Sequence, residues 1–282
     1  MKQIVVISGK GGTGKTMLLS SFAALAKNKV LVDCDVDASN LHLMLDPKRL
    51  KKELFFGGKK AHINKNKCVS CGLCKKLCRY GAITEDLKID EFLCEGCGFC
   101  KEACEYSAIE MKDNLSGEWY VSSSKYGPFV HARLRPAEES SGKLIARIKQ
   151  EAKDIAIRDG LDYILADGPP GIGCPVMASL TGADTALIVT EPTLSGMHDM
   201  ERATEITEHF KIPSKVVINK SDINPDNTKS IEAACEKKGI EVIGRIPFSE
   251  SIVRSLVART PPILGDSADI KQAICEIWEK IQ

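Results

Sequence analysis

Ile4-Val5-Val6-Ile7-Ser8-Gly9-Lys10-Gly11-Gly12-Thr13-Gly14-Lys15-Thr16 is the stretch that decides the fold. Its first half is a continuous apolar run, the signature of a strand covered by helices on both faces. Its second half, Gly9 to Thr16, fits the phosphate-binding loop pattern G-x-x-x-x-G-K-[ST] and passes directly into a helical segment, Thr16–Ala26. Glycines let successive backbone N–H groups converge on phosphate oxygens, and the following helix adds a favourable dipole. Within such a loop Lys15 reaches the β and γ phosphates and the Thr16 hydroxyl ligates Mg²⁺. Gly9, Lys10, Gly11, Gly12, Thr13, Gly14, Lys15 and Thr16 are therefore the expected nucleotide-binding residues. A glycine turn that merely links strand to helix is the plainer alternative, and Lys-Thr in this context argues against it.

Strand and helix patterns alternate on either side of that loop. Val30–Asp33, Tyr163–Ala166, Thr185–Thr190, Lys215–Ile218 and Glu241–Ile243 read as further strands, with helical stretches near 196–210, 228–238 and 250–259. Such alternation predicts an α/β fold with a mostly parallel, doubly wound sheet. Two extended runs, 118–122 and 129–134, are expected to pair before a helix that begins near Ser141. The basic, glycine-containing stretch Phe55-Phe56-Gly57-Gly58-Lys59-Lys60 reads as a boundary. This divides the chain into a discontinuous nucleotide-binding domain, 1–58 and 113–282, and an insert at 59–112.

The insert contains an internal repeat. Cys68-x₂-Cys71-x₂-Cys74-x₃-Cys78, with the tail Arg79-Tyr80-Gly81-Ala82-Ile83, returns 26 residues later as Cys94-x₂-Cys97-x₂-Cys100-x₃-Cys104 with Glu105-Tyr106-Ser107-Ala108-Ile109. Eight of the twelve cysteines fall here. The N-terminus runs straight into the glycine loop with no signal-peptide pattern, so a cytoplasmic location and metal ligation, not disulfides, are expected. Paired Cys-x₂-Cys sequences also make zinc sites. Two overlapping triplets per copy exceed what one tetrahedral ion needs, which favours iron–sulfur clusters.

The cysteine spacing resembles bacterial two-cluster ferredoxins, and the resemblance implies a small α+β module with two [4Fe–4S] clusters. In that family the fourth cysteine of each run serves the other cluster. The implied ligand sets are Cys68, Cys71, Cys74 and Cys104 for the first, and Cys94, Cys97, Cys100 and Cys78 for the second. One departure is that the proline following each fourth cysteine in that family is replaced by Arg79 and Glu105.

With a second lysine, Lys10, inside the loop, Lys-Gly-Gly-Thr-Gly-Lys-Thr resembles the deviant Walker A loop of the MinD/ParA ATPases, a family that includes the nitrogenase iron protein. The resemblance covers nearly all the chain outside the insert. It implies ATP hydrolysis in a nucleotide-dependent dimer, in which Lys10 crosses to the partner's nucleotide. Val32-Asp33-Cys34-Asp35-Val36-Asp37 is similar to the family's first switch, which implies that Asp35 positions the attacking water and that Asp33 lies near Mg²⁺. Leu165-Ala166-Asp167-Gly168-Pro169-Pro170-Gly171 resembles the Walker B strand and second switch, with Asp167 beside Mg²⁺. Asn219, in Asn219-Lys220-Ser221-Asp222, matches the residue that hydrogen-bonds adenine, and Pro247-Phe248 match the segment covering the base. The Asn-Lys-x-Asp spelling also fits guanine-specific loops. Thr190-Glu191-Pro192-Thr193-Leu194-Ser195-Gly196 resembles the family and equally reads as a plain turn. Cys174 lies seven residues beyond Asp167, where the nitrogenase iron protein has a cysteine binding a dimer-bridging cluster; packing at a helix start is the competing reading. Cys34, Cys235 and Cys275 read as inert packing residues.

A net charge of +1 gives no general electrostatic case for nucleic acid or a membrane surface. No apolar run is long enough to span a bilayer. The C-terminal segment 269–280 has a helical pattern but carries Glu276 and Glu279, and so reads as a packing helix, not a membrane anchor. The expected cofactors are ATP/ADP, Mg²⁺ and two [4Fe–4S] clusters; the expected partners are a second copy or a related ATPase, and a redox protein. Three functions stay open: ATP-coupled electron transfer through the clusters, a positioning or scaffold ATPase with redox-sensing clusters, and cluster assembly or delivery.

Overall fold

The computed structural model describes residues 1–136, 138 and 141–282. In chain order the elements are β1 (Lys2–Ser8), α1 (Lys15–Leu25), β2 (Lys29–Asp33), α2 (Leu41–Leu45), β3 (Lys48–Ile63), α3 (Leu73–Leu77), α4 (Phe99–Glu102), β4 (Ile109–Ser124), β5 (Gly127–Leu134) and α5 (Ser141–Asp159). They continue with β6 (Tyr163–Pro170), α6 (Cys174–Leu180), β7 (Thr185–Thr190), α7 (Leu194–His209), β8 (Ser214–Asn219), α8 (Pro225–Lys237), β9 (Glu241–Ile246), α9 (Glu250–Val257) and α10 (Ala268–Ile281). The strands form one sheet in the order β3-β4-β5-β2-β6-β1-β7-β8-β9. Strand β1 is parallel to β6 and β7, β2 to β5 and β6, and β8 to β7 and β9. The predicted parallel, doubly wound α/β fold is present.

The chain separates into two compact units. The first comprises Met1–Lys52, Trp119–Arg133 and Ser141–Gln282; the second comprises Glu53–Glu118 and Leu134–Ser140. In the first, every residue of β1 from Ile4 to Ser8 and all of β2 and β7 are buried, as strands covered on both faces require. Helix α1 is buried almost all round, through Met17, Leu18, Leu19, Phe22 and Ala23. Helix α10 packs Ile270, Ile274, Ile277, Trp278 and Ile281 into the same core, and Trp278 meets Phe22 with ring centroids 5.2 Å apart. The acidic residues of this helix sit off its apolar stripe, so it is a packing helix. No helix among the described residues is long and apolar enough to cross a membrane.

The stretch 55–60, expected at a boundary, lies inside the sixteen-residue strand β3, a few residues past the division of the two units between Lys52 and Glu53, and the short extended run at 118–122 is the end of the equally long β4. Strand β3 is the edge of the sheet, where lysines on an exposed strand oppose pairing with other chains without preventing strand formation. Its glycines are held in the strand, with the Gly57 N–H donating to Ser116 Oγ at 3.2 Å.

In the second unit the sequence repeat is also a backbone repeat. Positive φ recurs at Ser70 and Gly96, at Gly72 and Gly98, and at Gly81 and Ser107, each pair 26 residues apart. Gly72 and Gly98 (φ 74° and 76°) each open a short helix, α3 and α4, a conformation that glycine adopts without the Cβ penalty. The two copies exchange hydrogen bonds: Asn64 N donates to Ala108 O at 2.7 Å, and Asp90 N donates to Ala82 O at 2.8 Å. The buried apolar core is small, Ala61, Ile63, Ile83 and Ile109, with six of the repeat's cysteines packed against it.

Candidate functional site

The phosphate loop leaves β1 at Ser8 and enters α1 at Lys15. Gly12 and Gly14 have φ of 79° and 101°. A Cβ on Gly14 would lie 2.4 Å from Asn219 Nδ2, and one on Gly9 would lie 2.3 Å from Asp199 Cβ, so both must be glycine. Gly11 and Gly12 face open space. They line a cleft of about 570 Å³ together with Lys15, Thr16, Asp35 and Pro170. The loop, the segment after β2 at Asp35 and the end of β6 at Pro170 thus converge on one cavity.

Lys15 Nζ donates to Ser8 Oγ at 2.8 Å, which curls the lysine back over the loop. Burial lowers its pKa against the opposing pull of Asp167, Asp35 and Asp33. Thr16 Oγ1 donates to Asp167 Oδ2 at 2.6 Å, and also contacts Asn40 Oδ1 at 3.0 Å. Asp167 is raised by burial and by the nearby Asp33 charge, while its other oxygen, Oδ1, is buried with no hydrogen-bond partner. An orphaned carboxylate oxygen beside a hydroxyl is the hard-oxygen donor set that Mg²⁺ takes, so the site fits the ion. Asp33 is occupied differently. Its oxygens accept from Asp35 N, Ser39 Oγ and Leu41 N, at 3.1, 2.7 and 3.2 Å, so this carboxylate shapes the loop after β2. Burial raises its pKa despite those bonds. Asp35 Oδ1 accepts from Ala38 N at 3.2 Å.

Lys10 points away from the loop. Its Nζ lies 2.6 Å from Glu191 Oε1 and contacts Thr193 Oγ1 and Ser195 Oγ at 3.3 and 3.1 Å. Glu191 also binds Lys220 Nζ at 3.0 Å. Burial pushes the Glu191 carboxyl up, but bonds from the two lysines outweigh it and hold its pKa below the ordinary value. The sequence offers two readings of the Glu191 segment, a family resemblance and a plain turn, and assigns Glu191 no role; its position at the carboxyl end of β7 is the available signal.

Asn219 Nδ2 donates to Thr13 O at 2.8 Å, and Asn219 Oδ1 accepts from Lys220 N at 3.0 Å. This tethers the loop after β8 to the phosphate loop. Asp222 Oδ1 accepts from Phe248 N at 2.6 Å, fixing the Pro247-Phe248 segment, whose phenyl ring is half exposed. Thus the two ends of Asn-Lys-Ser-Asp hold together the pieces expected to surround the base.

In the second unit two cavities stand out. One, of about 200 Å³, is lined by Cys68, Cys71, Cys74 and Cys104. The other, of about 480 Å³, is lined by Cys78, Cys94, Cys97 and Cys100. The fold therefore groups the eight thiols in crossed sets, with the fourth cysteine of each run at the other run's cavity. Among the described residues no three His, Cys, Asp or Glu side chains converge on one ion-sized point. The donor set is one of soft thiols spread around a volume. Of the other cysteines, Cys34 is fully buried and its thiol is pushed up by burial to about 12, and Cys235 by burial to about 11. Cys275 packs against the core, and Cys174 is exposed at the first residue of α6.

Comparisons with known proteins agree with the first unit. Residues 4–262 match the family model "CobQ/CobB/MinD/ParA nucleotide binding domain". Uncharacterized protein MJ0578 of Methanocaldococcus jannaschii is 35% identical over 283 residues, covering 99% of this chain and 96% of the relative. Septum site-determining protein MinD of Escherichia coli K12 is 24% identical over 297 residues, covering 99% and 90%. Among solved structures, the septum site-determining protein MinD of Pyrococcus horikoshii complexed with Mg-ADP aligns with a TM-score of 0.61 at 15% identity, covering 100% of this chain and 96% of that one. The family-model match over residues 4–262, together with the phosphate loop and the Thr16–Asp167 pair, leads to one conclusion: the chain belongs to the CobQ/CobB/MinD/ParA nucleotide-binding family and is a MinD/ParA-type ATPase.

Proposed function

We propose that this ATPase carries two [4Fe–4S] clusters and couples its nucleotide cycle to electron transfer through them. The observation that carries the reading is the pair of four-cysteine cavities, each lined by one crossed set. Cys68, Cys71, Cys74 and Cys104 would hold one cluster and Cys94, Cys97, Cys100 and Cys78 the other; bound there, the clusters supply reversible one-electron chemistry. Two overlapping cysteine triplets per copy exceed what a single tetrahedral zinc ion needs, which supports a cube.

On the nucleotide side, the amides of the Gly11–Thr16 loop bind phosphate oxygens, and Lys15 turns from Ser8 onto the β and γ phosphates. Thr16 and Asp167 would hold Mg²⁺, with Asp33 behind them; the ion neutralises phosphate charge. Asp35, in the same cleft, orients the attacking water. Asn219, Pro247 and Phe248 receive the adenine. Lys10 acts in a nucleotide-dependent dimer with a second copy or a related ATPase. It leaves Glu191 when the chains close and adds positive charge to the partner's γ-phosphate.

A second reading is a positioning ATPase of the partitioning or division type whose clusters sense redox state. It is favoured by the MinD relatives, whose names assign them to septum placement. Anaerobically prepared protein should contain about eight irons per chain. Cys78→Ser should perturb the cluster of the second triplet and spare that of the first, read by site-resolved Mössbauer spectroscopy. Loss of the first-triplet cluster instead would sink the crossed assignment, and zinc alone would sink the redox reading. Electron delivery that requires ATP hydrolysis supports coupling. Turnover that follows cluster oxidation state, with delivery indifferent to ATP, would select the positioning reading.

A further inference from the structure

Beside the nucleotide cleft lies a second, larger cavity that ATP hydrolysis leaves unused. It measures about 710 Å³ against about 570 Å³, and its wall lies wholly within the first unit. The ionisable groups on that wall are His42, Asp46, Arg49, Lys125, His131 and Arg259. They come from α2 and the residue after it, the start of β3, the turn between β4 and β5, β5 itself and the segment after α9. Three cations thus face one carboxylate, in a chain whose net charge is only +1.

These cations are not tied into the fold. Among the described residues the side chains of Arg49, Lys125 and Arg259 form no ion pair and donate no hydrogen bond. Arg49 Cζ lies 4.3 Å from the centre of the Tyr120 ring, and Lys125 Nζ 4.9 Å from that of Tyr126. A ring face steadies a cation and leaves the N–H fork of a guanidinium for an oxyanion. Ser122 Oγ and His131 Nε2, 3.4 Å apart on the same wall, add uncharged polar partners. The positive field is felt there: burial, and then the charges of Arg133 and Arg259, lower the pKa of His42. The two cavities also share structure. Arg259, Leu43 and Met44 line both, and Asn40, two residues before His42, accepts from Thr16 Oγ1 at 3.0 Å.

We propose that this cavity binds a phosphorylated small molecule through Arg49, Lys125 and Arg259, and that the bound anion weakens ATP binding by holding Arg259 away from the nucleotide cleft. A volume of about 710 Å³ falls in the range of small-molecule sites, roughly 300–1,000 Å³. Phosphate matches the donors because two guanidinium forks and an ammonium supply charge-assisted hydrogen bonds to several oxygens at once. The sign of the coupling follows from the shared arginine. With Arg259 engaged by the second anion, ATP loses a nearby cation and meets an added negative charge, and both effects oppose it. Linkage is reciprocal, so ATP loosens the second anion by the same factor. The site is independent of the clusters.

The test uses the full-length protein and the variant Arg49→Gln/Lys125→Gln, whose changed residues do not line the nucleotide cleft. Inorganic phosphate is the probe. In the parent protein the His42 and His131 ring signals should shift saturably with phosphate in NMR titrations. In the variant that affinity should fall about tenfold, while ATP affinity in phosphate-free buffer and the amide spectrum of the core stay unchanged. Phosphate also competes at the phosphate loop, and the variant isolates that part. ATP affinity should therefore drop about fivefold more on adding phosphate to the parent than to the variant, and Arg259→Gln should remove this excess. Ring signals indifferent to phosphate, or an equal effect on ATP affinity in parent and variant, overturn the proposal. A single-stranded oligonucleotide that moves the ring signals where phosphate and ribose 5-phosphate do not would assign the cavity to a polymer and overturn it as well.

Discussion

The phosphate loop and the cysteine repeat are both glycine-opened loops followed by a helix, yet they are supported differently. Around the loop, β1, β2, β6 and β7 are buried strands and α1 is sunk in a core that includes Leu18, Phe22, Leu165 and Trp278. The functional groups there are held by one another: Lys15 on Ser8, Thr16 on Asp167, Asn219 on Thr13. The cysteine unit has only four buried apolar side chains in its core cluster, and its thiols make up much of the rest. A site built on a large core is formed before its ligand arrives. A site whose ligands stand in for the core takes its stability from what they bind.

The sharpest way to break that comparison is to remove the iron of the proposed clusters. Chelation, or a Cys→Ser change at all eight positions, should abolish amide-exchange protection across 64–109 while protection in β1, α1 and β7 persists and ATP binding changes less than about threefold. Retained protection at 64–109 would show that the small core suffices.

Next in size are the two loop lysines. Lys15→Ala should lose ATP binding, because the loop's other lysine, Lys10, is held by Glu191. Lys10→Ala should bind ATP nearly as well and lower turnover by ~10³-fold, the scale of a charge supplied in trans, with weaker nucleotide-dependent dimerisation. Nucleotide titration, sedimentation and phosphate release on both variants separate the roles. Full turnover in Lys10→Ala, or turnover independent of protein concentration, ends the cross-dimer mechanism.

A smaller effect probes the first unit alone. His131 stacks on Phe129 and Tyr120 and sits near His42 and Arg49. Burial, with the His42 and Arg49 charges, lowers its pKa to about 4. A histidine depressed in the fold contributes stability that is present above its unfolded value of about 6.5 and is lost as pH falls toward 4. The loss should be on the order of 3 kcal/mol, and His131→Phe should flatten that part of the curve in urea melts. An unchanged slope between pH 6.5 and 4 would remove His131 as its source.

How much of this was legible in the sequence follows from where the physics is local. The phosphate loop could be read because glycines at Gly9, Gly12 and Gly14, a lysine and a threonine have only one common use between a buried strand and a helix. The eight cysteines could be read because their spacing repeats. Strand β3 could not: residues 48–54 are exposed without alternation and rich in lysine, and Gly57-Gly58 imitates a turn. The parking of Lys10 on Glu191 was equally invisible, since those residues are distant in sequence and meet only when β7 lies beside β1. Asp33 and Asp167 look alike as strand-end aspartates; only the loop bonds of Asp33 and the orphaned oxygen of Asp167 tell them apart.

The swapped hydrogen bonds, Asn64 to Ala108 and Asp90 to Ala82, bear on how such a unit could arise. Neither half contains its own complement: each offers three thiols to its cavity and sends the fourth to its twin. A single ancestral half would have had no closed site until it met another, so pairing of separate chains would precede the tandem duplication that later joined them. Synthetic peptides of either half, mixed with iron and sulfide, would then assemble in twos and not singly.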